Sequence, residues 1–175
     1  MIKLAESSGT VIYEAGNRLY ISKKPAQWIS TFLFVNGLLV FILLANGVLQ
    51  LTLFKDQLTD SSTIGIILIG IAVLFALIFW RVRVYQKKVN ATPLSTLKNI
   101  CIFDFENNNL LDGQQNILTP INQVWLKRKM QIGSSSPELI IRWDGGSLSI
   151  VKGNPFSGGI ASIEKVLLSK GLRKN

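Results

Sequence analysis

Two stretches of the chain run without a charged residue. Trp28 to Phe54 and Ile64 to Trp80 contain no Asp, Glu, Lys, Arg or His. About 20 apolar residues at ~1.5 Å rise cover the hydrocarbon core of a bilayer, so each run predicts a membrane-crossing helix. The short polar loop Lys55 to Thr63 joins them into a helical hairpin over 27–86. Elsewhere the pattern changes to short β-prone runs. Val11 to Tyr13 and Leu19 to Ile21 flank Gly16-Asn17, which predicts a β-hairpin within 1–26. After Thr92-Pro93, Ile100 to Phe105 reads as a strand ended by the turn-rich Glu106 to Asn109. Leu110 to Leu118 reads as a second, irregular strand, and Ile121 to Ile132 as a long third one. Leu139, Ile141 and Trp143 alternate with Glu138, Ile140 and Arg142, and Asp144-Gly145-Gly146 turns the chain back through Leu148 and Ile150. Ile160, Ile163, Val166 and Leu167 then recur at helical spacing. Gly171 stands where the helix would be capped, and Lys170, Arg173 and Lys174 lie near the negative end of its dipole.

Charge placement orients the hairpin. Lys3, Arg18, Lys23 and Lys24 precede the first run, and Arg81, Arg83, Lys87 and Lys88 follow the second. The loop between carries Lys55 against Asp56 and Asp60. Positive flanks stay on the cytoplasmic side, so both termini are expected there, or on an equivalent stromal or matrix side, with the loop across the membrane. A bacterial inner membrane or a thylakoid-type membrane suits this rule. Trp28 and Trp80 then fall at one interface, where indole rings are favoured. Two crossings return the chain to its starting compartment, so 1–26 and 87–175 can complete one sheet. The expected class is α+β: a two-helix transmembrane hairpin inserted into a split, mostly antiparallel β-sandwich or barrel of about seven strands, closed by a C-terminal helix. An isolated two-stranded hairpin beside a separate five-stranded domain is the alternative, although such a pair is marginal in water.

That element order, with the tight turn after Trp143 at Asp144-Gly145-Gly146, resembles pleckstrin-homology-like domains. The break after the second strand is similar to the bacterial membrane-inserted members of that group. The resemblance covers nearly the whole length and implies a cytoplasmic binding module. It does not choose among lipid, peptide and protein ligands, because fold alone does not specify function.

Polar and small residues inside the apolar runs mark packing surfaces. Asn36, Asn46, Gly47 and Gln50 fall on one stripe of the first helix, and Gly65, Ala72 and Ala76 on one stripe of the second, at ~100° per residue. These stripes either face each other and close the hairpin or dock against the helices of a partner. Neither run offers an ionisable group for a proton relay or an ion site.

Composition narrows the function. Lys and Arg number 19 against 10 Asp and Glu, giving a net charge of +9. In a membrane chain such a balance points to the anionic inner leaflet and topology rather than to nucleic acid. Period-two alternation along Ile121 to Ile132 sets Gln123, Trp125, Lys127, Lys129 and Gln131 against Val124, Leu126, Arg128 and Met130. Trp125, Lys127 and Lys129, with Arg18, Lys23 and Lys24, are the candidates for contact with anionic headgroups or an acidic partner; the alternative is a solvated outer face with the indole packed on its lysine stems. Arg128 on the otherwise apolar face is expected near a strand end or paired with an acid such as Asp104 or Glu106. The glycine-rich Gly153 to Gly159 could cradle an anion or act as a hinge that seats the terminal helix, but it lacks the Lys-Ser/Thr of a P-loop. With no histidine and Cys101 alone, no catalytic residue, metal site or cofactor is expected. Asp104 and Glu106 read as solvated residues beside a turn, and Cys101 as a buried small hydrophobe. The expected function is non-enzymatic: an accessory subunit, assembly factor or scaffold that contacts membrane lipid and other integral membrane proteins. Respiratory, photosynthetic and secretion complexes all fit. The rival is a membrane sensor of anionic lipid headgroups.

Overall fold

The computed structural model describes residues 1–25, 28–53, 61–132, 135–154 and 159–174. It contains two compact units, Met1–Gln27 with Ala91–Asn175, and Trp28–Asn90.

In the first unit β1 (Ile2–Ser7), β2 (Thr10–Ala15), β3 (Arg18–Lys23), β4 (Lys98–Asp104), β5 (Asn109–Asp112) and β6 (Ile117–Pro120) follow one another in a six-stranded antiparallel sheet. A second sheet contains β7 (Trp125–Lys129), β8 (Glu138–Trp143) and β9 (Gly146–Lys152). After helix α3 (Ala161–Ser169), the short β10 (Arg173–Lys174) adds to β7 in parallel. The architecture is α+β with mostly antiparallel pairing.

The residues that alternate inward on both sheets make one core. Ile12, Leu19, Ile21, Phe103 and Leu110 meet Val124, Leu126, Leu139, Ile141 and Ile150, and α3 closes it with Ile163 and Leu167. Removing this apolar surface from water is the dominant stabilising term. Between the sheets the Thr10 hydroxyl donates to the Ile150 carbonyl at 3.1 Å, so its burial leaves that donor satisfied.

Strands β3 and β4 are neighbours although 74 residues separate Lys23 from Lys98 in the chain (98 − 24). Leu19 pairs with Phe103, Ile21 with Cys101 and Lys23 with Lys98. The long segment therefore occupies the position of a hairpin loop. Its returning end is pinned to the outer face of the first sheet, where Leu94 and Leu97 pack with Val11, Tyr13 and Tyr20. There Tyr13 and Tyr20 stack at 5.1 Å, and Ser22 donates to the Asn99 side-chain oxygen at 2.7 Å.

The second unit holds helices α1 (Ile29–Thr52) and α2 (Ser61–Asn90). At ~1.5 Å per residue they measure ~36 and ~45 Å, and both are long and apolar enough to cross a membrane. They run antiparallel: the Asn36 amide donates to the Phe75 carbonyl at 3.0 Å, while Gly47 lies against Gly65 further along. Lys55, Asp56 and Asp60 of the expected loop lie outside the described residues.

Several expectations need correction. Three strands, not two, precede the helices, because β1 is an edge strand with Ile2 and Lys3 exposed and so lacks the apolar alternation of a core strand. The expected irregular strand Leu110 to Leu118 is two strands, β5 and β6. The Asp112 carboxylate bends the chain between them by accepting the Gln114 and Asn116 backbone N–H groups, each at 2.8 Å. The expected long strand from Ile121 is shorter, because Pro120 leads into a 3-10 turn over Ile121–Gln123 and β7 ends at Lys129. Among the described residues ten short strands thus replace about seven. Helix α2 also continues ten residues past Trp80, since Arg, Lys and Gln are good helix formers. It ends just before Pro93, whose preceding residue is biased away from helix.

Candidate interaction surface

Alternation on β7 buries Val124 and Leu126 beneath the sheet and leaves Lys127 and Lys129 exposed on the opposite face. Register supplies their neighbours. Trp125 pairs with Arg142, Lys127 with Ile140 and Lys129 with Glu138, and β9 continues the row with Ser147 and Ser149. On the other edge Arg173 of β10 stands beside Trp125. Lys127, Lys129, Arg142 and Asp144 line an open groove of ≈ 640 Å³ together with Ile140 and Trp143. Three cations thus face one acid. Glu138 beside them is engaged by the Ser149 hydroxyl, and neither lysine is ion-paired among the described residues. Trp125 is half-buried, with its indole N–H out of solvent and unpartnered among the described residues.

Two other candidate cations are engaged in the fold. Arg18 reaches Asp104 across the β3–β4 pair at 2.8 Å, and Asp104 also accepts the Asn107 side-chain amide at 3.1 Å. The Asn107 amide first, then the Arg18 guanidinium, holds that carboxyl below its ordinary range against the opposing effect of burial. Lys24 pairs with Glu6, which Lys3 also contacts. Lys23 is different. It is exposed and directly opposite the equally exposed Lys98 at the end of the sheet from which the chain leaves for the helices. Like charges opposite each other repel, so this end favours an anion.

Arg128 finds neither Asp104 nor Glu106. Its guanidinium grips Glu164 of α3 through Nε at 3.0 and 3.1 Å and through Nη2, and Lys174 adds a second cation to Glu164 at 3.0 Å. Arg128 is the first cause that holds the Glu164 carboxyl below its ordinary range, against burial. This cluster ties α3 and β10 to β7. Asp104 was already occupied by Arg18, and only the three-dimensional placement of α3 could reveal the true partner.

The glycine-rich loop has its described ends tied to the β1–β2 turn. The Asn154 N–H donates to the Ser8 hydroxyl at 3.2 Å, and the Ser7 hydroxyl donates to the Gly159 carbonyl. Such tethering suits a hinge; Pro155 and Phe156 lie outside the described residues. Gln131, assigned to the Trp125 face, instead donates from its side chain to the Ser136 and Gly153 carbonyls at 2.7 and 3.0 Å. Cys101 is fully buried, which pushes its thiol well above the ordinary range and leaves it unreactive.

Within the helical unit Asn36, Gly47, Gly65 and Ala72 are buried, and Gln50 is half-buried with its side-chain oxygen unpartnered among the described residues. Asn46 and Ala76 are exposed. Asn46 is one residue, ~100° of turn, from Gly47, and lies outside the buried seam. Arg142, Lys98 and Arg173 escaped the sequence reading as site residues. The alternation of Arg142 was visible, whereas Lys98 precedes the expected strand and Arg173 was placed at the end of the terminal helix; only strand register sets the three beside Lys127, Lys23 and Trp125. The chain matches no family model, no curated protein and no solved structure.

Proposed function

We propose that α1 and α2 form a transmembrane hairpin, that both termini lie on the cytoplasmic or equivalent side, and that the β unit acts by contact as an accessory subunit, assembly factor or scaffold of a larger membrane complex. The observation that carries this reading is the open groove lined by Lys127, Lys129, Arg142 and Trp143, with Trp125 half-buried on the same face. It is rich in uncommitted positive charge, whereas Arg18, Lys24 and Arg128 are spent on internal ion pairs. An aromatic with Arg and Lys around an open groove suits an acidic protein segment. Two meandering antiparallel sheets followed by a C-terminal helix support the resemblance to membrane-inserted pleckstrin-homology-like domains. The extra strands, and an insertion after the third strand instead of the second, depart from that pattern.

The test is extraction in mild detergent and native electrophoresis of the wild type beside Lys127→Glu/Lys129→Glu. Comigration with other chains that the double reversal abolishes, and that Lys165→Glu on the exposed side of α3 leaves intact, supports the proposal. Comigration that survives the reversal, or a wild type that migrates free of other chains, refutes it. One observation favours a second reading, a sensor of anionic headgroups: Lys23 and Lys98 face each other where the chain departs for the helices. Salt-sensitive binding of phosphatidylserine vesicles that Lys23→Glu/Lys98→Glu removes would select it.

A further inference from the structure

Among the described residues of the two apolar runs, one amide stands on the outer surface. Asn46 is exposed on α1; its side-chain N–H donates back to the Ile42 carbonyl at 2.8 Å, and its oxygen accepts nothing among the described residues. In hydrocarbon an unsatisfied amide oxygen costs several kcal/mol, because no water replaces the missing donor. Asn46 is also the only polar residue in an otherwise aliphatic stripe. Val35, Leu39, Ile42, Asn46, Leu49 and Leu53 follow one another at intervals of four, three, four, three and four residues. That is the repeat of a left-handed coiled coil, with Leu39, Asn46 and Leu53 in one series and Val35, Ile42 and Leu49 in the other. Val35, Ile42, Leu49 and Leu53 are 56%, 46%, 41% and 65% exposed, and Leu39 is half-buried. The seam with α2, built on Leu33, Asn36 and Gly47, lies ~100° around the helix, so packing within one chain does not consume the stripe.

We propose that this stripe pairs α1 with α1 of a second copy of the chain, the two Asn46 amides bonding to each other. The proposal rests on the transmembrane reading. A second copy is the occupant because copies in one membrane share orientation and depth. A two-fold axis along the membrane normal sets every residue opposite itself. Each Asn46 keeps one unused N–H and one unused oxygen, so two of them form a reciprocal pair and complete each other. A different helix would have to carry a complementary group at that same depth. One polar residue in a coiled-coil core is also the known means of specifying register and number of strands. The far side of α1, with Phe34, Phe41 and Val48 exposed, has no polar group and no such need.

The test uses the full chain in its native membranes. Leu39→Cys, Ile42→Cys and Leu49→Cys are compared with Phe34→Cys, Phe41→Cys and Val48→Cys under mild oxidation. Cys101 can remain, being fully buried. Disulfide-linked dimers several-fold more abundant at the first three positions are expected. Asn46→Leu in the Ile42→Cys background should lower the dimer fraction roughly five- to tenfold, with partial recovery for Asn46→Gln. Equal or greater linkage on the Phe41 side, no linkage in a fraction that resists alkaline carbonate, capture of a different chain, or indifference to Asn46→Leu overturns the pairing. Release of the chain by carbonate would instead overturn the transmembrane reading, and the pairing with it.

Discussion

A single methyl group at the crossing of α1 and α2 is the sharpest perturbation available in the helical unit. A Cβ at Gly65 would lie 2.8 Å from Leu51 Cγ and 3.0 Å from the Gly47 carbonyl oxygen; a Cβ at Gly47 would lie 2.7 Å from Ile69 Cγ1 and 3.1 Å from the Gly65 oxygen. Comfortable carbon–carbon contacts begin near ~3.5 Å. Alanine at either site thus forces the helices apart by up to about 1 Å, and a gap of that size forfeits about a quarter to a half of each dispersion contact along the seam. Overpacking of this kind costs about 1–3 kcal/mol. Gly65→Ala should fall at the upper end, because it meets a branch carbon and a backbone oxygen. Gly47→Ala should fall lower, because Ile69 can rotate part of the way. The double variant should cost less than the sum by at least ~0.5 kcal/mol, since one separation makes room for both methyl groups. Gly70 supplies the control: nothing lies within 4 Å of a Cβ there, so Gly70→Ala should be neutral or mildly stabilising. The assay is SDS titration of the full chain in mixed micelles, read by energy transfer between dyes on cysteines placed at exposed positions of the two helices. Single variants within ~0.5 kcal/mol of wild type, or full additivity in the double, would refute the close crossing.

Asn36→Leu keeps the number and branching of the side-chain heavy atoms but removes the bond to the Phe75 carbonyl. The same titration should register a loss of about 0.5–1.7 kcal/mol, the range for amide bonds between membrane helices. Glu164→Gln should make the β unit less stable at neutral pH and flatten its acid response. The folded carboxyl is held below its ordinary value of 4.5, so its contribution is complete above that pH and disappears as pH falls through the lower folded value. Protection of α3 amides from hydrogen exchange should therefore differ between wild type and variant at pH 7, and the difference should shrink below pH ~4.5.

Legibility in the sequence tracked how local each determinant is. The apolar runs that become α1 and α2 needed only a count of uninterrupted residues. The β8–β9 hairpin was visible because Asp144-Gly145 is a turn signal that acts at short range, and Gly171 because a positive φ of 90° after a helix suits glycine. The outward set of Lys127 and Lys129 followed from parity alone, which survives an error in strand length. What stayed hidden depends on contacts made at long range. Strand β1 forms because β2 offers it an edge, despite Lys3 and Glu6. The true partner of Arg128 is 36 residues distant in the chain. Arg142 and Arg173 join the basic face only through register, which no single strand encodes.

The pairing of β3 with β4 constrains what the intervening helices can do. Two antiparallel neighbours deliver their ends a few ångströms apart, about 5 Å in such ladders, and two packed helices begin and end with axes about 8–10 Å apart. A helical hairpin can therefore replace a β-turn without prising the strands apart. An odd number of membrane crossings could not, since β3 and β4 would then lie on opposite sides and the six-stranded sheet would be cut between Ile21 and Cys101. If α1 and α2 cross a bilayer, the ladder itself forbids any topology but a double crossing with both termini together. The basic flanks then select which side. Reversing Arg81, Arg83, Lys87 and Lys88 should consequently reduce insertion or expose the β unit on the other side as a whole, and never separate β1–β3 from the rest.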